Sequence, residues 1–399
     1  MAKVITDESK INEVFGRNIE AVFPSVDKAK EIFKSGRRLT FYLGIDPTGP
    51  DIHLGHTTNL FVLKKLISLG HKVILLIGDF TAQTGDPTGK DTARKSLSVK
   101  EVEDNMKTYI KQVIKILPKG SFELKYNSKW LGKLTFNEIR KLARQVTVQQ
   151  MITRDMFQRR LTENKPISLE EFLYPLMQGY DSVAMNVDGE IGGNDQTFNM
   201  LAGRTLMKEM LQKEKFVMAT KLLVDATGKK MGKTENNMVT LADSADDMYG
   251  KIMSWPDGLI LPGFELLTDV ALIDVEEGLK KGDNPRDWKA RLAQEVVAFF
   301  HSKKAARAAQ RNFENLFREH ETPTEVPVYQ TDKEKINILD LLVESGLVMS
   351  KGEARRLMDG GGIYMNNETL KDYNLEVAPT AEGILLQKGK RFFVRVVKK

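Results

Sequence analysis

The sequence predicts an α/β fold: a domain built on a parallel sheet, then a small helical domain, then an α+β module at the C-terminus. Two apolar runs without polar alternation, Leu39–Ile45 and Lys72–Asp79, are typical of strands buried on both faces. The amphipathic run Leu60–Leu66 lies between them and completes a strand–helix–strand unit, whose crossover should be right-handed. A third candidate strand, Met185–Ile191, leads into a glycine turn that opens a helix.

The other segments divide the chain in order. Apolar residues recur at helical spacing in residues 9–34, 99–117, 136–185 (with breaks), 197–213 and 242–320. Pro323 and Pro327 then predict an extended linker. We therefore place the sheet domain at residues 1–240, the helical domain at 241–320, the linker at 321–335 and the α+β module at 336–399.

Composition excludes several classes of protein. The chain has 399 residues, too many for one hydrophobic core, and 41% of them are hydrophobic, as in globular proteins. It contains no cysteine, which excludes disulfides, a cysteine-ligated zinc and a thiol nucleophile. The N-terminus has no apolar signal core, and no apolar stretch reaches membrane-spanning length. We expect a cytoplasmic protein with no membrane partner.

Three loops rich in glycine follow the predicted strands, at the sheet edge where open α/β folds bind ligands. They are residues 46–56, 84–90 and 192–196. The first is a strand-to-helix corner, which presents backbone N–H groups and the positive end of a helix dipole to an anion such as phosphate. It contains His53 and His56, separated by Leu54 and Gly55.

This histidine pair has three interpretations. One imidazole could cap the helix while the other is partly buried. A zinc site is a weaker match, because no carboxylate stands at ligand spacing and the chain lacks cysteine. In the third interpretation, both imidazoles and Thr48 hydrogen-bond the phosphates and ribose of a nucleotide.

A second basic loop, residues 225–234, places three lysines around a Met-Gly step. A solvated basic turn is the ordinary explanation of such a charge run. The alternative is a triphosphate clamp, since ammonium groups on flexible stems can follow phosphates as charge moves to leaving pyrophosphate.

Together the two loops resemble the two signatures of the class I aminoacyl-tRNA synthetases. The stretch 53–56 corresponds to the first signature and the stretch 230–234 to the second. Over essentially the whole chain, further motifs resemble the bacterial tyrosyl-tRNA synthetases: Tyr42–Thr48, Gly85–Lys90, Tyr174–Asp181 and Ile191–Gln196. The resemblance implies a Rossmann-like catalytic domain, activation of L-tyrosine by ATP with Mg²⁺, release of pyrophosphate, and transfer of the tyrosyl group to the 3′ end of tRNA(Tyr). It also implies a homodimer.

The resemblance assigns roles residue by residue. The implied tyrosine-binding residues are Tyr42, Asp46, Asp86, Tyr174, Gln178, Asp181 and Gln196. The implied ATP-binding residues are Gly44, Gly55, Lys90, Arg94, Gly193, Asp195, Lys230 and Lys233. Catalysis would need positioning and charge stabilisation rather than a nucleophile or base, and its implied residues are Thr48, His53, His56, Lys230, Lys233 and Thr234. No carboxylate cluster marks a metal site in the sequence, and we expect no zinc.

Within the tyrosine pocket, Tyr42 and Asp181 would hold the substrate phenol. A lone Asp on a helix is usually a surface carboxylate, and that is the alternative for Asp181. Against it, positions 174, 178 and 181 share one helical face, and a face bearing Tyr, Gln and Asp is poorly explained as core.

Three positions depart from the family pattern. Gly232 stands where the second signature often has serine, Leu43 where some relatives have a thiol, and Asn59 where some have threonine. None of these changes removes an essential charge, so we expect them to affect affinity more than activity.

The C-terminal module resembles the small S4-type RNA-binding domain. Residues 350–353 read as a capping box that opens a helix. That helix carries Lys351, Arg355 and Arg356, and residues 388–399 hold six basic residues and no acidic one. Solvated basic surface is the ordinary interpretation; the resemblance implies contact with the RNA backbone.

Three other functions stay open. Tryptophan activation on the same fold is disfavoured by Tyr42 and Asp181, because an indole has no hydroxyl to bind. A non-catalytic RNA-binding paralogue is disfavoured by the charged residues of both signatures. A free nucleotidyltransferase would leave the RNA-binding tail unexplained.

Overall fold

The computed structural model describes residues 3–88, 97–224, 238–318, 326–366, 368–389 and 392–399. Contacts between residues divide the chain into two compact units, residues 1–302 and 303–399. In the described ranges no helix is long and apolar enough to cross a bilayer.

A six-stranded sheet forms the centre of the first unit. Its strands are β1 Ile19–Phe23, β2 Thr40–Ile45, β3 Lys72–Ile77, β4 Glu123–Tyr126, β5 Gly189–Gly193 and β6 Phe216–Thr220. The spatial order is β1-β6-β5-β2-β3-β4, with all pairings parallel except that of β1 with β6. Every residue of β5 and β6 is buried, as is all of β3 after its first residue. The parallel sheet predicted from the unbroken apolar runs is confirmed.

Helices cover the sheet and continue beyond it to residue 300. They are α1 Glu8–Val14, α2 Val26–Lys34, α3 Leu54–Ser68, α4 Thr81–Thr84, α5 Val99–Val113, α6 Ser128–Leu131, α7 Phe136–Ala143, α8 Val148–Ile152, α9 Asp155–Thr162, α10 Leu169–Met185, α11 Thr197–Leu211, α12 Ala245–Met253, α13 Ile260–Leu267, α14 Leu272–Lys281 and α15 Pro285–Phe300.

Two predictions for the first unit are wrong in detail. Residues 9–34 are not helical throughout, because β1 separates α1 from α2; Val22 is its one buried residue, so the strand leaves little periodic signal. The strand predicted at 185–191 begins only at Gly189, because α10 extends to Met185 and ends at Asn186 in the left-handed conformation. Strands β4 and β6 were not predicted.

Helices α10 and α11 pack closely against each other at two glycines. A Cβ on Gly179 would lie 3.1 Å from the backbone nitrogen of Gly203. Since neither glycine carries a side chain, the helix backbones approach closely enough to bring residues of α10 towards β5 and β6. This approach positions one wall of the site.

The second unit combines helices with a small sheet. Its elements are α16 Lys303–Arg318, β7 Val328–Thr331, β8 Ile336–Asn337, α17 Ile338–Glu344, α18 Lys351–Asp359, β9 Ile363–Met365, β10 Glu368–Thr369, β11 Glu376–Val377, β12 Ile384–Lys388 and β13 Phe392–Lys398. One sheet has the order β10-β9-β12-β13-β7, and β11 pairs separately with β8. The fully buried residues Ile338, Leu341 and Leu386 belong to its core.

The division by contacts differs from the predicted domain boundaries. Helices α12 to α15 of the predicted helical domain belong to the first unit, and α16 belongs to the second. Residues 328–331 of the predicted linker form β7, which pairs in parallel with β13. Part of that linker is therefore sheet, because its extended backbone finds a partner strand far along the chain.

The predicted capping box at residues 350–353 is half right. Ser350 Oγ accepts a hydrogen bond from the Glu353 backbone nitrogen at 3.2 Å, so the N-cap is confirmed. The Glu353 carboxylate, however, accepts from the backbone nitrogen of Met349 at 2.8 Å rather than from that of Ser350. It also pairs with Lys388 on β12 at 2.7 Å, a tertiary contact that the local motif does not contain.

Candidate active site

One cavity of about 470 Å³ lies at the carboxyl ends of β2 and β5. Every predicted catalytic, tyrosine-binding or ATP-binding residue that the structure describes lines it: Tyr42, Gly44, Asp46, Thr48, His53, Gly55, His56, Asp86, Tyr174, Gln178, Asp181, Gly193, Asp195 and Gln196. The other predicted residues, Lys90, Arg94, Lys230, Lys233 and Thr234, lie outside the described residues.

The two predicted histidines meet at the start of α3. His53 occupies the N-cap position, and its ring stacks on that of His56 with centroids 3.7 Å apart and planes 25° apart. A Cβ on Gly55 would lie 3.0 Å from the His53 ring, so the glycine makes room for an imidazole of the protein itself. Burial lowers the pKa of His56 to about 4. A neutral imidazole at pH 7 suits hydrogen bonding to hydroxyl or phosphate oxygens.

The segment after the second basic loop is hydrogen-bonded to the first loop. The backbone nitrogen of Leu54 donates to Val239 O at 2.9 Å, and that of Leu241 donates to Ile52 O at 2.8 Å. Before the second loop, Leu222 and Leu223 line the cavity. The described residues before this loop therefore line the cavity, and those after it are bonded to the segment that contains the histidines.

The surface-carboxylate interpretation of Asp181 is wrong, because the residue is only 3% exposed. Its carboxylate accepts hydrogen bonds from Trp130 Nε1 at 2.7 Å and from Asn127 Nδ2 at 3.2 Å. Burial raises the pKa of Asp181 well above its ordinary value, and the two N–H donors oppose that rise by stabilising the ionised form. Tyr42, completely buried, approaches the same cavity from β2.

The predicted face of α10 is confirmed as one wall of the cavity. Tyr174 Oη donates to Asp46 Oδ2 at 2.7 Å, and Gln178 Nε2 donates to Glu190 Oε1 at 3.0 Å. Burial raises the pKa of Tyr174 well above its ordinary value, so its hydroxyl stays a donor. The residues that the sequence places on one face of the helix therefore line the same cavity.

Another carboxylate of the cavity lining, Asp86, lies just after α4. Asp86 accepts from Gln196 Nε2 at 2.7 Å and from Thr88 Oγ1 at 2.6 Å. Thr88 in turn accepts from the Arg154 guanidinium at 2.6 Å. With Asp46, Asp181 and Glu190 also lining the cavity, its walls carry an excess of acceptor oxygens. Such a lining favours a ligand that bears an ammonium group and a hydroxyl.

Of the three positions that depart from the family pattern, the structure describes two. Leu43 is buried in β2 and lines the cavity. Asn59 also lines it, and its side-chain oxygen accepts from Thr220 Oγ1 at 2.6 Å. Gly232 lies outside the described residues.

Several polar residues behind or within the cavity wall were not predicted. They are Thr81, Asn127, Trp130, Arg154, Ser182, Glu190 and Lys215. One signal was available: Glu190 places a carboxylate inside a strand that should be buried on both faces. The others come from segments that give no local indication of a site. Within the described ranges no group of three His, Asp or Glu residues is arranged to hold a metal ion.

The predicted RNA-binding residues lie on α18 of the second unit. Arg355 and Arg356 are exposed. Lys351 is also exposed, and its ammonium pairs with Asp340 at 2.5 Å. Arg355 and Arg356 are therefore the better placed of the three to meet an external anion.

Family models match nearly the whole chain. The model described as tRNA synthetases class I (W and Y) matches residues 34–318, and that of the tyrosine–tRNA ligase SYY-like C-terminal domain matches residues 319–396. Here W and Y stand for tryptophan and tyrosine.

Named relatives and a solved structure agree with these matches. The chain is 44% identical to the tyrosine–tRNA ligase of Carboxydothermus hydrogenoformans over 96% of its own length and 97% of that protein. It is 42% identical to that of Thermotoga maritima over 98% of both chains. A C-terminally truncated mitochondrial tyrosyl-tRNA synthetase of Aspergillus nidulans has the same fold, with a TM-score of 0.62 at 24% identity over 78% of this chain and 95% of the other. The chain therefore belongs to the tyrosine–tRNA ligase family of the class I aminoacyl-tRNA synthetases.

Proposed function

We propose that this chain activates L-tyrosine with ATP to form tyrosyl-adenylate and pyrophosphate, and then transfers the tyrosyl group to the 3′ end of tRNA(Tyr). One observation carries the choice of amino acid: Tyr42 and the buried carboxylate of Asp181 line the same cavity, and the histidine pair lines it too. The cavity thus offers hydrogen-bonding groups for a phenol and a nucleotide site beside them.

In this proposal the tyrosine phenol lies between Tyr42 and Asp181. If phenylalanine entered, both buried polar groups would lose a partner, which costs far more than a lost apolar contact. Enzymes of this family are the standard example of the effect, with rejection of phenylalanine on the order of 10⁵-fold without editing. The substrate ammonium would contact Asp86, Tyr174 and Gln178, and Asp46 and Gln196 would complete the pocket.

For the chemical step, the tyrosine carboxylate attacks the α-phosphorus of ATP and pyrophosphate leaves. No side chain need become a nucleophile, so the protein contributes orientation and stabilisation of negative charge. We assign the phosphates to Thr48, His53, Lys90, Arg94, Lys230, Lys233 and Thr234. We assign the ribose to His56 and Asp195, with Gly44, Gly55 and Gly193 beside the nucleotide. Mg²⁺ would enter with ATP as part of the nucleotide substrate.

The transfer step needs a second recognition surface. Arg355 and Arg356 are exposed on α18 and would contact the tRNA backbone, with little reading of bases. We propose a homodimer, supported by large apolar side chains left exposed at the starts of α7, α8 and α10 of the first unit: Phe136 at 83%, Val148 at 64% and Leu169 at 76%. We propose the cytoplasm as its location, in keeping with the absence of cysteine from the sequence.

Amino-acid-dependent exchange of pyrophosphate into ATP by the purified full chain tests the activation step. We expect exchange with tyrosine and very little with tryptophan or phenylalanine. Exchange stimulated by tryptophan instead would contradict the choice of amino acid, which matters because the first family model covers both enzymes. No exchange with any amino acid, combined with tRNA binding, would favour the non-catalytic paralogue.

A further inference from the structure

A buried lysine lies directly behind the phenol end of the cavity. Lys215 precedes β6 and is completely buried. Its ammonium occupies space left by the missing side chain of Gly203, where a Cβ would lie 2.6 Å from Lys215 Nζ. Burying an unpaired ammonium is costly, so the contacts that hold this one have to be strong.

Those contacts connect Lys215 to the predicted tyrosine pocket. The ammonium forms an ion pair with Glu190, which is only 2% exposed, and donates to Ser182 Oγ at 2.9 Å. Ser182 Oγ lies 2.9 Å from Tyr42 Oη. The ammonium also lies 5.9 Å from the centroid of the Tyr42 ring. Lys215, Ser182 and Tyr42 therefore form one hydrogen-bonded chain that ends at the cavity.

The Lys215 ammonium sets which group donates in each of these hydrogen bonds, because an ammonium can only donate. Ser182 Oγ accepts from Lys215 and keeps one hydrogen of its own, for which Tyr42 Oη is the acceptor at hand. If Tyr42 donated to Ser182 instead, the serine hydrogen would be buried without a partner among the described residues, which is unfavourable. The Tyr42 hydroxyl then accepts from Ser182, and its own hydrogen has two possible acceptors: the nearby Glu190 carboxylate, which also bonds the hydroxyl, and a ligand in the cavity.

The Asp181 carboxylate, by contrast, offers a ligand hydrogen-bond acceptors rather than a donor. Its oxygens accept from Trp130 and Asn127, and the remaining lone pairs are available to a ligand donor. A ligand between Tyr42 and Asp181 must therefore accept one hydrogen bond and donate another. A phenol does both with a single oxygen, whereas a phenyl ring does neither.

We propose that Lys215 is a positioning residue for tyrosine recognition: acting through Ser182, it orients the Tyr42 hydroxyl so that its hydrogen points to the substrate phenol. Glu190 holds the ammonium in place. It also accepts a 3.0 Å hydrogen bond from Gln178, which belongs to the α10 wall of the cavity. The inference rests on the proposed tyrosine activation and adds residues that the substrate itself does not touch.

Pyrophosphate exchange with tyrosine and with phenylalanine tests the proposal on the full chain. We expect Lys215→Met to raise KM for tyrosine and to lower the tyrosine-to-phenylalanine ratio of kcat/KM by about tenfold, the order expected for one hydrogen bond. Lys215→Gln keeps a donor for Ser182 and should retain most of the ratio. The control is Lys213→Met, two residues away. Lys213 is half-buried, pairs with Asp188 at 3.2 Å and does not line the cavity, so this variant should keep the wild-type ratio.

Ser182→Ala is a second variant that breaks the connection between Lys215 and Tyr42 but leaves the Lys215–Glu190 pair intact. It tests the proposal even if Lys215→Met does not fold. It should lower the ratio as Lys215→Met does, and the double variant should be no worse than either single one. Equal losses for tyrosine and phenylalanine, or an unchanged ratio in Ser182→Ala, would overturn the positioning role. Failure of the wild type itself to exchange with tyrosine would instead contradict the proposed function.

Discussion

The indole nitrogen of Trp130 donates a 2.7 Å hydrogen bond to the carboxylate of Asp181, joining α6 to the buried face of α10. This contact gives the buried carboxylate one of its two N–H donors. Asp181 lines the same cavity as Tyr42, so the contact also helps to hold a side chain of the proposed tyrosine pocket.

Removing the donor should weaken tyrosine binding. Trp130→Phe keeps most of the ring but leaves Asp181 with only Asn127 as a donor, so we expect KM for tyrosine in pyrophosphate exchange to rise about tenfold or more. Trp288→Phe is the matched control, since Trp288 packs edge-on against Phe264 and does not line the cavity. Equal KM values for the two variants would contradict the role given to this bond.

The Asp181 carboxylate itself should carry the discrimination between tyrosine and phenylalanine. We expect Asp181→Ala to have one of two results, because the phenol loses its acceptor. Tyrosine activation is no longer measurable, or kcat/KM for tyrosine exceeds that for phenylalanine by no more than about a hundredfold. Steady-state exchange with both amino acids measures the ratio. The exposed Asp274 on α14 offers a control in Asp274→Ala. A wild-type preference in Asp181→Ala would remove Asp181 from the pocket.

A buried ion pair at the start of α10 should be needed for stability. Arg160 and Glu171 are 2% and 6% exposed, and their side chains pair at 2.6 Å. Glu171→Ala leaves the guanidinium buried without its carboxylate, so we expect a loss of about 3–5 kcal/mol in the free energy of unfolding. The adjacent Glu170 is exposed, and Glu170→Ala should cost little. Urea unfolding of both variants measures the two losses. Similar unfolding midpoints for the two variants would contradict the role given to the buried ion pair.

Stability should fall in mild acid because of His71. The ring packs between Phe33 and Phe41, its Nδ1 accepts from the Leu39 backbone nitrogen at 3.3 Å, and burial lowers the pKa to about 4. The unfolded chain, with an ordinary pKa near 6.5, takes up a proton first as pH falls. The contribution of His71 is therefore complete above pH 6.5 and is lost between 6.5 and about 4.

Thermal unfolding at pH 7.5 and 4.5 checks this dependence. We expect the wild type to lose more stability between the two values than His71→Gln, even though the variant starts less stable. The pKa of His301 is also lowered by burial, but its side chain is exposed, so His301→Gln serves as the comparison. An identical pH dependence of wild type and His71→Gln would show that another group is responsible.

The basic face of α18 should affect tRNA but not adenylate formation. We expect the double variant Arg355→Glu, Arg356→Glu to raise KM for tRNA in aminoacylation by about tenfold or more and to weaken its salt dependence, because phosphate contacts are lost. Pyrophosphate exchange should remain at the wild-type rate. The same charge change at exposed residues of α14, Lys280→Glu with Lys281→Glu, is the control. Equal tRNA KM values for the two double variants would contradict the RNA-binding role.

The sequence by itself determined the parallel sheet and most of the cavity lining. Unbroken apolar runs mark strands such as β3, and the loops with His53 and Asp86 must gather at one sheet edge because parallel strands end there. The helical spacing of Tyr174, Gln178 and Asp181 likewise keeps them on one face. These are local properties, since each depends on residues a few positions apart.

Only the tertiary structure decided what surrounds those residues. The strand β1 forms because β6 offers it an edge, and part of the predicted linker becomes β7 because β13 does the same. The donors to Asp181 come from residues 127 and 130, and the ammonium behind Tyr42 comes from residue 215. Such partners lie dozens of positions apart, and no periodicity links them; they meet because burying a charge requires a partner wherever the fold can supply one.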